Sequence, residues 1–272
     1  MISDNPYTPI PAELAEVIEE TPTIKTLLCR PENPMAFKAG QFVQLTLPGV
    51  GEGPFTPSSS PLKPEEIAIT ILKTGMLTDR LHECRAGQTV GLRGPFGKGY
   101  PVDDLDGMEV LIVGGGVGLA PLRALIHACL ARLDRLKRVS IKYGARGQTE
   151  LLYAAQYAEW AKHEKVDFTC TIDRGEPGWD GHVGVVTTIL KDMDLDRPNS
   201  KVFVCGPSIM LKFTVYALLE EGYTPEQIYL SMNRRMSCGM GKCGRCNIGP
   251  YYLCKDGPDM KYSLIKDYPN VF

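Results

Sequence analysis

The sequence predicts a β plus α/β protein: an N-terminal antiparallel β-barrel, a C-terminal domain built on a parallel sheet, and a short cysteine-rich segment at the end. Three observations carry this. Residues 10–100 contain short runs rich in Val, Ile, Leu and Thr, broken at close intervals by Pro and Gly. From residue 105 onward, strand-like and helix-like stretches alternate. After Met232 core-forming periodicity stops, and four cysteines fall within residues 236–254. A chain of 272 residues is too long for one ordinary core. The expected units are residues 1–104, 105–232 and 233–272.

In the first unit the strand candidates are AELAEVIEE, TIKTLLCRP, QFVQLTLP, EIAITILKTG and QTVGLRGPFG. Strands at this spacing, with no long helix between them, make a small antiparallel barrel or sandwich. Only LTDRLHECRAG has helical spacing, with Leu77, Leu81 and Cys84 on one side and Thr78 or Asp79 as a cap. In the second unit EVLIVG, RVSIKYG, VDFTCTID, KVFVCG and QIYLSM read as strands. APLRALIHACLARL repeats apolar residues at three and four, and ELLYAAQYAEWAKH, VGVVTTILKDM and PSIMLKFTVYALLEEG are the other expected helices. The alternation implies a doubly wound parallel sheet, which binds ligands beyond the carboxyl ends of its strands.

Composition narrows the class. Hydrophobic content of 43% and charged content of 23% are those of a soluble globular protein. A net charge of −2 gives no bulk reason to bind nucleic acid or a membrane surface. No apolar run approaches the roughly 20 residues of a membrane span. The start, MISDNPYTPIPAEL, lacks a basic stretch followed by an apolar one, so no signal peptide is expected. The expected location is the cytoplasm, where thiols stay reduced. The nine cysteines are then buried apolar residues, metal ligands or reactive groups rather than disulfides.

Several motifs end strands. VLIVGGGVGLAPL is a buried strand, a glycine loop and a helix start. Gly114, Gly115, Gly116 and Gly118 let backbone approach a ligand, and the helix that follows aims its free N–H groups at the loop. A phosphate-bearing ligand fits, although an empty strand–helix turn reads the same way and the spacing departs from G-x-G-x-x-G. VFVCGPSIM places Cys205, Gly206 and Pro207 at the same sheet edge. YGARG and TIDRG bring Arg146 and Asp173 there, each equally readable as a solvated loop charge. GEGPFTPSSSP follows a strand with an aromatic, Phe55, to pack on a flat ring, and with the hydroxyls Thr56, Ser58 and Ser59. Its plain alternative is a Pro/Ser loop.

The cysteines Cys238, Cys243, Cys246 and Cys254 have the spacing C-x4-C-x2-C-x7-C. The first two gaps are those of plant-type [2Fe–2S] proteins. Glycines between them permit unusual backbone angles and leave N–H groups free to face cluster sulfurs. A four-thiolate zinc site is the rival, but zinc ribbons usually present two separate C-x2-C knuckles and here there is one.

Together PFTPSS, KTGMLTDRL, GGGVGLAPL and CGPSIM, in that order, resemble the ferredoxin-NADP reductase superfamily. With CGMGKCGRCNIGPYYLC added, the chain is similar to iron–sulfur flavin subunits that hand electrons to a partner. These include gamma subunits of cytoplasmic nickel-iron hydrogenases and sulfhydrogenases, the corresponding flavin subunit of anaerobic sulfite reductase, and the dihydroorotate dehydrogenase electron-transfer subunit. TIDRGEPGWDGHVGVVTTIL and CGRCNIGPYYLCKDGP look most like the hydrogenase group. The resemblance implies a flavin-binding barrel, a nicotinamide-binding domain and a [2Fe–2S] segment. It implies FAD contacts for Phe55, Thr56, Ser58 and Ser59 and for the second flavin segment, Ile71, Lys73, Gly75 and Thr78. It implies NAD(P)H contacts for the four loop glycines, Arg146, Asp173, Cys205, Gly206 and Pro207. One departure matters: the superfamily usually has an arginine two positions before the flavin-motif aromatic, and here that position is Gly53, so another donor must serve a flavin diphosphate.

A nicotinamide gives up two electrons as hydride, a cluster takes one at a time, and a flavin can stand between them. No residue is needed as general acid or base, and none is assigned. The implied partners are other subunits of a multi-subunit redox complex. The alternatives are a stand-alone reductase of a small acceptor and a non-catalytic zinc-binding sensor or scaffold. The apolar tail, Tyr262 to Phe272, is expected either as a docking surface or folded back over the barrel.

Overall fold

The structure, a computed structural model, describes residues 5–191 and 193–272. Residues 1–4, at the start of the N-terminal stretch MISDNPYTPIPAEL, and Asp192, in an expected helix, lie outside the described residues.

The first six strands are β1 (Ile10–Thr21), β2 (Ile24–Pro31), β3 (Phe42–Leu47), β4 (Gly51–Phe55), β5 (Ile67–Leu72) and β6 (Thr89–Phe96). They form one antiparallel sheet in the order β4-β3-β6-β1-β2-β5. Its edges, β4 and β5, come into contact, so the sheet curls into a barrel without a closing ladder. β1 alternates buried and open positions over much of its length, as a half-covered strand does, whereas β5 is buried at five successive positions, Ile67 to Ile71. Strand β5 is therefore covered on both faces, by the barrel core and by the α/β domain. β4 was not among the expected strands. Gly and Pro suppress its sequence signal, and its place as an edge strand tolerates them. Helix α1 (Met76–His82) follows β5 as expected.

The second sheet contains β7 (Glu109–Gly115), β8 (Arg138–Ala145), β9 (Val166–Ile172), β10 (His182–Val183), β11 (Ser200–Cys205) and β12 (Ile228–Ser231). They run parallel in the order β10-β9-β8-β7-β11-β12. Helices α2 (Leu119–Leu130), α3 (Tyr157–Ala161) and α4 (Ser208–Glu220) lie in the crossovers. Two expected helices are corrected. ELLYAAQYAEWAKH is α-helical only over α3, preceded by a 3₁₀ turn at Ala154–Gln156, because Leu151, Leu152 and Tyr153 are buried ahead of it, with Tyr153 at φ 61 and its hydroxyl on Thr70 of the barrel. VGVVTTILKDM is a single 3₁₀ turn at Val186–Ile189, whose β-branched residues favour an extended or tightly turned backbone.

The C-terminal segment contributes more to the core than its composition implies. After the cysteine hairpin, β13 (Asn247–Ile248) with β14 (Tyr251–Tyr252), and the short α5 (Leu253–Asp256), strand β15 (Asp259–Lys261) pairs antiparallel with β12. It is the seventh strand of the second sheet. The cysteine loop thus precedes the last sheet strand instead of following it. Helix α6 (Tyr262–Ile265) packs beneath, with Ile265 and Val271 buried and Leu264 and Tyr268 exposed. The tail therefore folds back, and its support is the edge of the parallel sheet rather than the barrel.

Candidate functional site

Strand β7 runs into one 3₁₀ turn, Gly116–Gly118, and then into α2, so the glycine loop sits at the carboxyl edge of the sheet. Gly116 has φ +54, where a side chain is strained. A side-chain carbon on Gly118 would overlap the Cys205 carbonyl, so the glycine loop and the Cys-Gly-Pro turn meet backbone to backbone. Cys205 pairs with Gly114 in the ladder, and Met210 packs over Gly115 and Gly206. Pro207 caps α4. Burial, reinforced by nearby Asp259, pushes the Cys205 thiol up to about 12, so it is a neutral small group and not a nucleophile.

Arg146 and Asp173 are exposed just beyond the adjacent strands β8 and β9, and the Asp173 N–H donates to Ala145 O at 3.0 Å. Between them lies a residue that its sequence context does not single out. The Glu176 carboxylate accepts the Gln148 N–H at 3.2 Å and fills the space that a side chain on Gly147 would need.

On the barrel side, Phe55 and Thr56 are half-exposed where β4 ends. Ser58 is fully buried, and its hydroxyl meets Ala68 O at 3.3 Å and Thr70 Oγ1 at 2.9 Å. Thr70 in turn meets Tyr153 OH at 2.5 Å, which ties the barrel to the α/β domain. Ser59 Oγ accepts the Ala68 N–H at 3.1 Å. Ile71 belongs to the barrel core, while Lys73 and Gly75 are exposed at the mouth of α1. Thr78 Oγ1 accepts the N–H groups of Thr74 and Gly75 at 2.8 and 2.9 Å, closing the first turn of α1 on itself. A β-carbon on Gly53 would stand 2.9 Å from Leu77 Cδ2, so a longer side chain there requires that leucine to shift.

Cys238, Cys243 and Cys246 share one loop, and Cys254 follows in α5 after the β13–β14 hairpin. Gly239, Gly241 and Gly244 have φ of +80, +71 and +74, which turns successive N–H groups inward. Cys238 Sγ accepts from Met240 N at 3.4 Å and Lys242 N at 3.3 Å, and Cys254 Sγ accepts from Gly241 N at 3.0 Å. Cys238, Cys246 and Cys254 are buried and Cys243 is exposed. Among the described residues no three His, Cys, Asp or Glu side chains are grouped to hold one metal ion. Cys243 is close enough to Cys238 to influence its thiol, and both Cys246 and Cys238 act on Cys254. Burial raises the Cys238 thiol, but the N–H groups of Met240, Cys243 and Lys242 outweigh it and lower it to about 6.

Long-range contacts seat this loop. Arg93 of β6, 4% exposed, pairs with Glu52 at 2.6 Å and donates to Cys238 O at 3.3 Å. Gln44 donates to Met236 O at 2.8 Å, and the Phe96 ring lies against Gly239. On the other flank Lys98 N donates to Gly257 O at 2.8 Å. Beyond it, Asp259 is buried where barrel, sheet and cysteine segment meet. Ser231 donates to one of its oxygens, Tyr100 OH reaches that serine at 2.8 Å, and the other oxygen has no partner among the described residues. Burial pushes the Asp259 carboxyl up to about 7, against the pull of Ser231 and Tyr100. Nothing in KDGPDMKY distinguishes Asp259 from a solvated acid, and Arg93 reads as one more strand residue.

Comparison with known proteins agrees with this layout. The oxidoreductase FAD-binding domain matches residues 12–100, the oxidoreductase NAD-binding domain residues 112–215, and the iron–sulfur cluster binding domain of dihydroorotate dehydrogenase B residues 233–266. Sulfhydrogenase 1 subunit gamma of Pyrococcus furiosus is 36% identical, over 100% of this chain and 97% of its own. A probable dihydroorotate dehydrogenase B electron transfer subunit of Methanocaldococcus jannaschii is 34% identical over 92% and 88%. The fold is similar to that of an Amycolatopsis cytochrome P450 reductase, with TM-score 0.73, 27% identity and coverage of 81% of this chain and 68% of the other. An NADH-dependent reduced ferredoxin-NADP oxidoreductase shares the fold over 94% of this chain and 91% of its own, with TM-score 0.77 and 24% identity. With an FAD-binding barrel, an NAD-binding sheet and an iron–sulfur segment in one chain, the protein belongs to the oxidoreductase family that includes the sulfhydrogenase gamma subunits and the dihydroorotate dehydrogenase B electron transfer subunits.

Proposed function

We propose that this chain passes electrons between NAD(P)H, FAD and a [2Fe–2S] cluster, to or from the catalytic subunit of a multi-subunit oxidoreductase. The observation that carries the reading is the seating of the cysteine loop. Four thiols lie on this one segment, backbone N–H groups donate to Cys238 and Cys254 as they would to cluster ligands, and Arg93 and Gln44 hold the segment against the flavin barrel. When bound, the flavin would convert a two-electron hydride into the single electrons that a cluster accepts.

The chain's own residues bind and position. Cys238, Cys243, Cys246 and Cys254 ligate the cluster. Gly114, Gly115, Gly116 and Gly118 admit the dinucleotide phosphates, and Cys205, Gly206 and Pro207 flank the nicotinamide. Phe55 and Thr56 face the flavin ring, and Lys73 with the start of α1 at Gly75 and Thr78 serves its phosphates in place of the arginine that Gly53 lacks. Ser58 and Ile71 act from behind, fixing the barrel wall; Ser59 braces the same loop. Arg146 borders the adenosine end, where the carboxylates of Asp173 and Glu176 accept ribose hydroxyls and repel a 2′-phosphate, so NAD(H) is preferred.

The test starts with the visible spectrum of purified holoprotein, where flavin and iron–sulfur bands are expected, and with anaerobic bleaching by NADH. Cys243→Ser should lose the iron–sulfur bands, iron and acid-labile sulfide yet keep flavin and NADH bleaching. Retention of full iron and sulfide in that variant would overturn the ligand assignment. Parallel titrations should favour NADH over NADPH by about tenfold or more, which is about 1.4 kcal/mol.

A further inference from the structure

The stretch around the thiols is charged unlike the rest of the chain. Residues 233–255 contain five Lys or Arg and no Asp or Glu, although the whole chain has net charge −2. Arg235, Lys242, Arg245 and Lys255 are exposed, and Arg234 is half-buried. Among the described residues none of the five forms an ion pair. Their polar contacts are neutral. Arg234 donates to the carbonyls of Asn233 and Asn270, Arg245 reaches Ser237 Oγ at 3.5 Å, and the Lys242 ammonium lies 5.7 Å from the Tyr7 ring centre.

The carboxylates close to the loop are committed elsewhere. Glu52 is held by Arg93 at 2.6 Å, and Asp256 pairs with Lys98 at 3.9 Å and accepts the Tyr252 N–H at 2.9 Å. Asp267, on the tail, has Lys266 as its chain neighbour. The loop thus presents five cations around the exposed Cys243 with no carboxylate partner among the described residues, and the roughly two negative charges of an oxidised four-thiolate [2Fe–2S] centre would offset only part of them. Beside them a groove of about 520 Å³, lined by Ser208, Arg234, Asn247, Tyr268 and Phe272, offers aromatic surface for close contact.

From this we infer that the cysteine-loop face docks an acidic protein, whose carboxylates supply the counter-charge that Arg234, Arg235, Lys242, Arg245 and Lys255 lack. The inference rests on the proposed electron-transfer function: an exit point for single electrons needs an occupant with a redox centre of its own, which selects a protein over a nucleic acid or lipid surface. Complementary charge mainly speeds encounter and fixes orientation, and added salt screens it.

The probe is a prereduced acidic plant-type ferredoxin, mixed with oxidised holoprotein while the iron–sulfur and flavin bands are followed. Its second-order rate should fall at least tenfold between roughly 20 and 300 mM salt, where the Debye length shrinks from about 20 to 6 Å. Arg235→Glu/Arg245→Glu should lose a similar factor at low salt and reverse the salt dependence, with NADH bleaching and the iron–sulfur spectrum unchanged. If that variant loses its cluster bands, Arg235→Glu alone carries the test. A rate that ignores salt or rises with it, or a charge-reversed variant as fast as the parent, overturns the inference. So does tight binding to phosphatidylserine vesicles or duplex DNA combined with salt-independent ferredoxin exchange. Missing flavin or iron–sulfur bands in the parent protein would instead sink the electron-transfer reading itself.

Discussion

The chain has two glycine-rich loops, and they use glycine for opposite purposes. In the loop after β7 the decisive glycine is Gly118, which has no room for a side chain because the Cys205 carbonyl stands there. In the cysteine loop Gly239, Gly241 and Gly244 matter for backbone angle, and Gly244 has open space around it. The first loop is carried by a parallel sheet directly beneath it. The second has little regular structure of its own and is held by remote side chains, chiefly Arg93 and Gln44. Close packing makes the first loop intolerant of a single added carbon, while the second depends on its anchors.

The largest expected effect breaks the first loop. Gly118→Ala should push the glycine loop off the Cys205 turn. A displacement of about 1 Å at a positioned reactant costs on the order of a hundredfold in rate. Stopped-flow bleaching by NADH should slow by that factor while the cluster bands stay. A rate within threefold of the parent would show that the close approach does not position the nicotinamide.

A smaller effect tests the anchor of the second loop. Arg93→Met leaves Glu52 without its partner and frees the Cys238 carbonyl. Removing one member of a buried pair costs roughly 3 kcal/mol, less here because Glu52 is 27% exposed. The cluster bands should bleach faster on mild heating, with NADH bleaching of the flavin preserved. Equal loss of both signals would mean that Arg93 supports the barrel rather than the loop.

The smallest effect sharpens the comparison at the seam between the two regions. Asp259 titrates at about 7 in the folded chain, far above the ordinary carboxylate range. The folded state therefore holds a proton that the unfolded state has already released between about pH 4 and 7. Stability contributed at this site is greatest on the acid side and falls as pH rises through that window. Among the described residues Tyr100, Ser231 and Cys205 face the carboxyl, and no cation does. Asp259→Asn should raise the thermal midpoint at both pH 5 and pH 8, and more at pH 8 by an amount equivalent to roughly 2–3 kcal/mol. An unchanged midpoint at pH 8 would place the carboxylate in water.

Much of this was legible before the structure. The alternation of β7, β8, β9, β11 and β12 with apolar helices is local periodicity, and the sheet edge that gathers Gly114, Cys205, Arg146 and Asp173 follows from it. The cysteine spacing named its chemistry because a cluster needs several of its thiols from one tight turn, with the fourth a short way along the chain. Less legible were elements whose signal is not local. β4 carries Gly and Pro where a strand pattern wants branched residues, and β12 alone makes Asp259–Lys261 a strand.

The sequence alone determined the two-domain order, the parallel sheet, the glycine and Cys-Gly-Pro turns and the four-cysteine segment. Each depends on periodicity or spacing within a few tens of residues. Only the tertiary structure decided that the C-terminal segment completes the sheet, that Arg93 and Gln44 pin the cysteine loop to the barrel, and that Asp259 is buried with an oxygen unpaired among the described residues. Those features join residues about 30 to nearly 200 positions apart in the chain. Burial and pairing at that range are properties of the packed interface, so neither composition nor spacing along the chain can announce them.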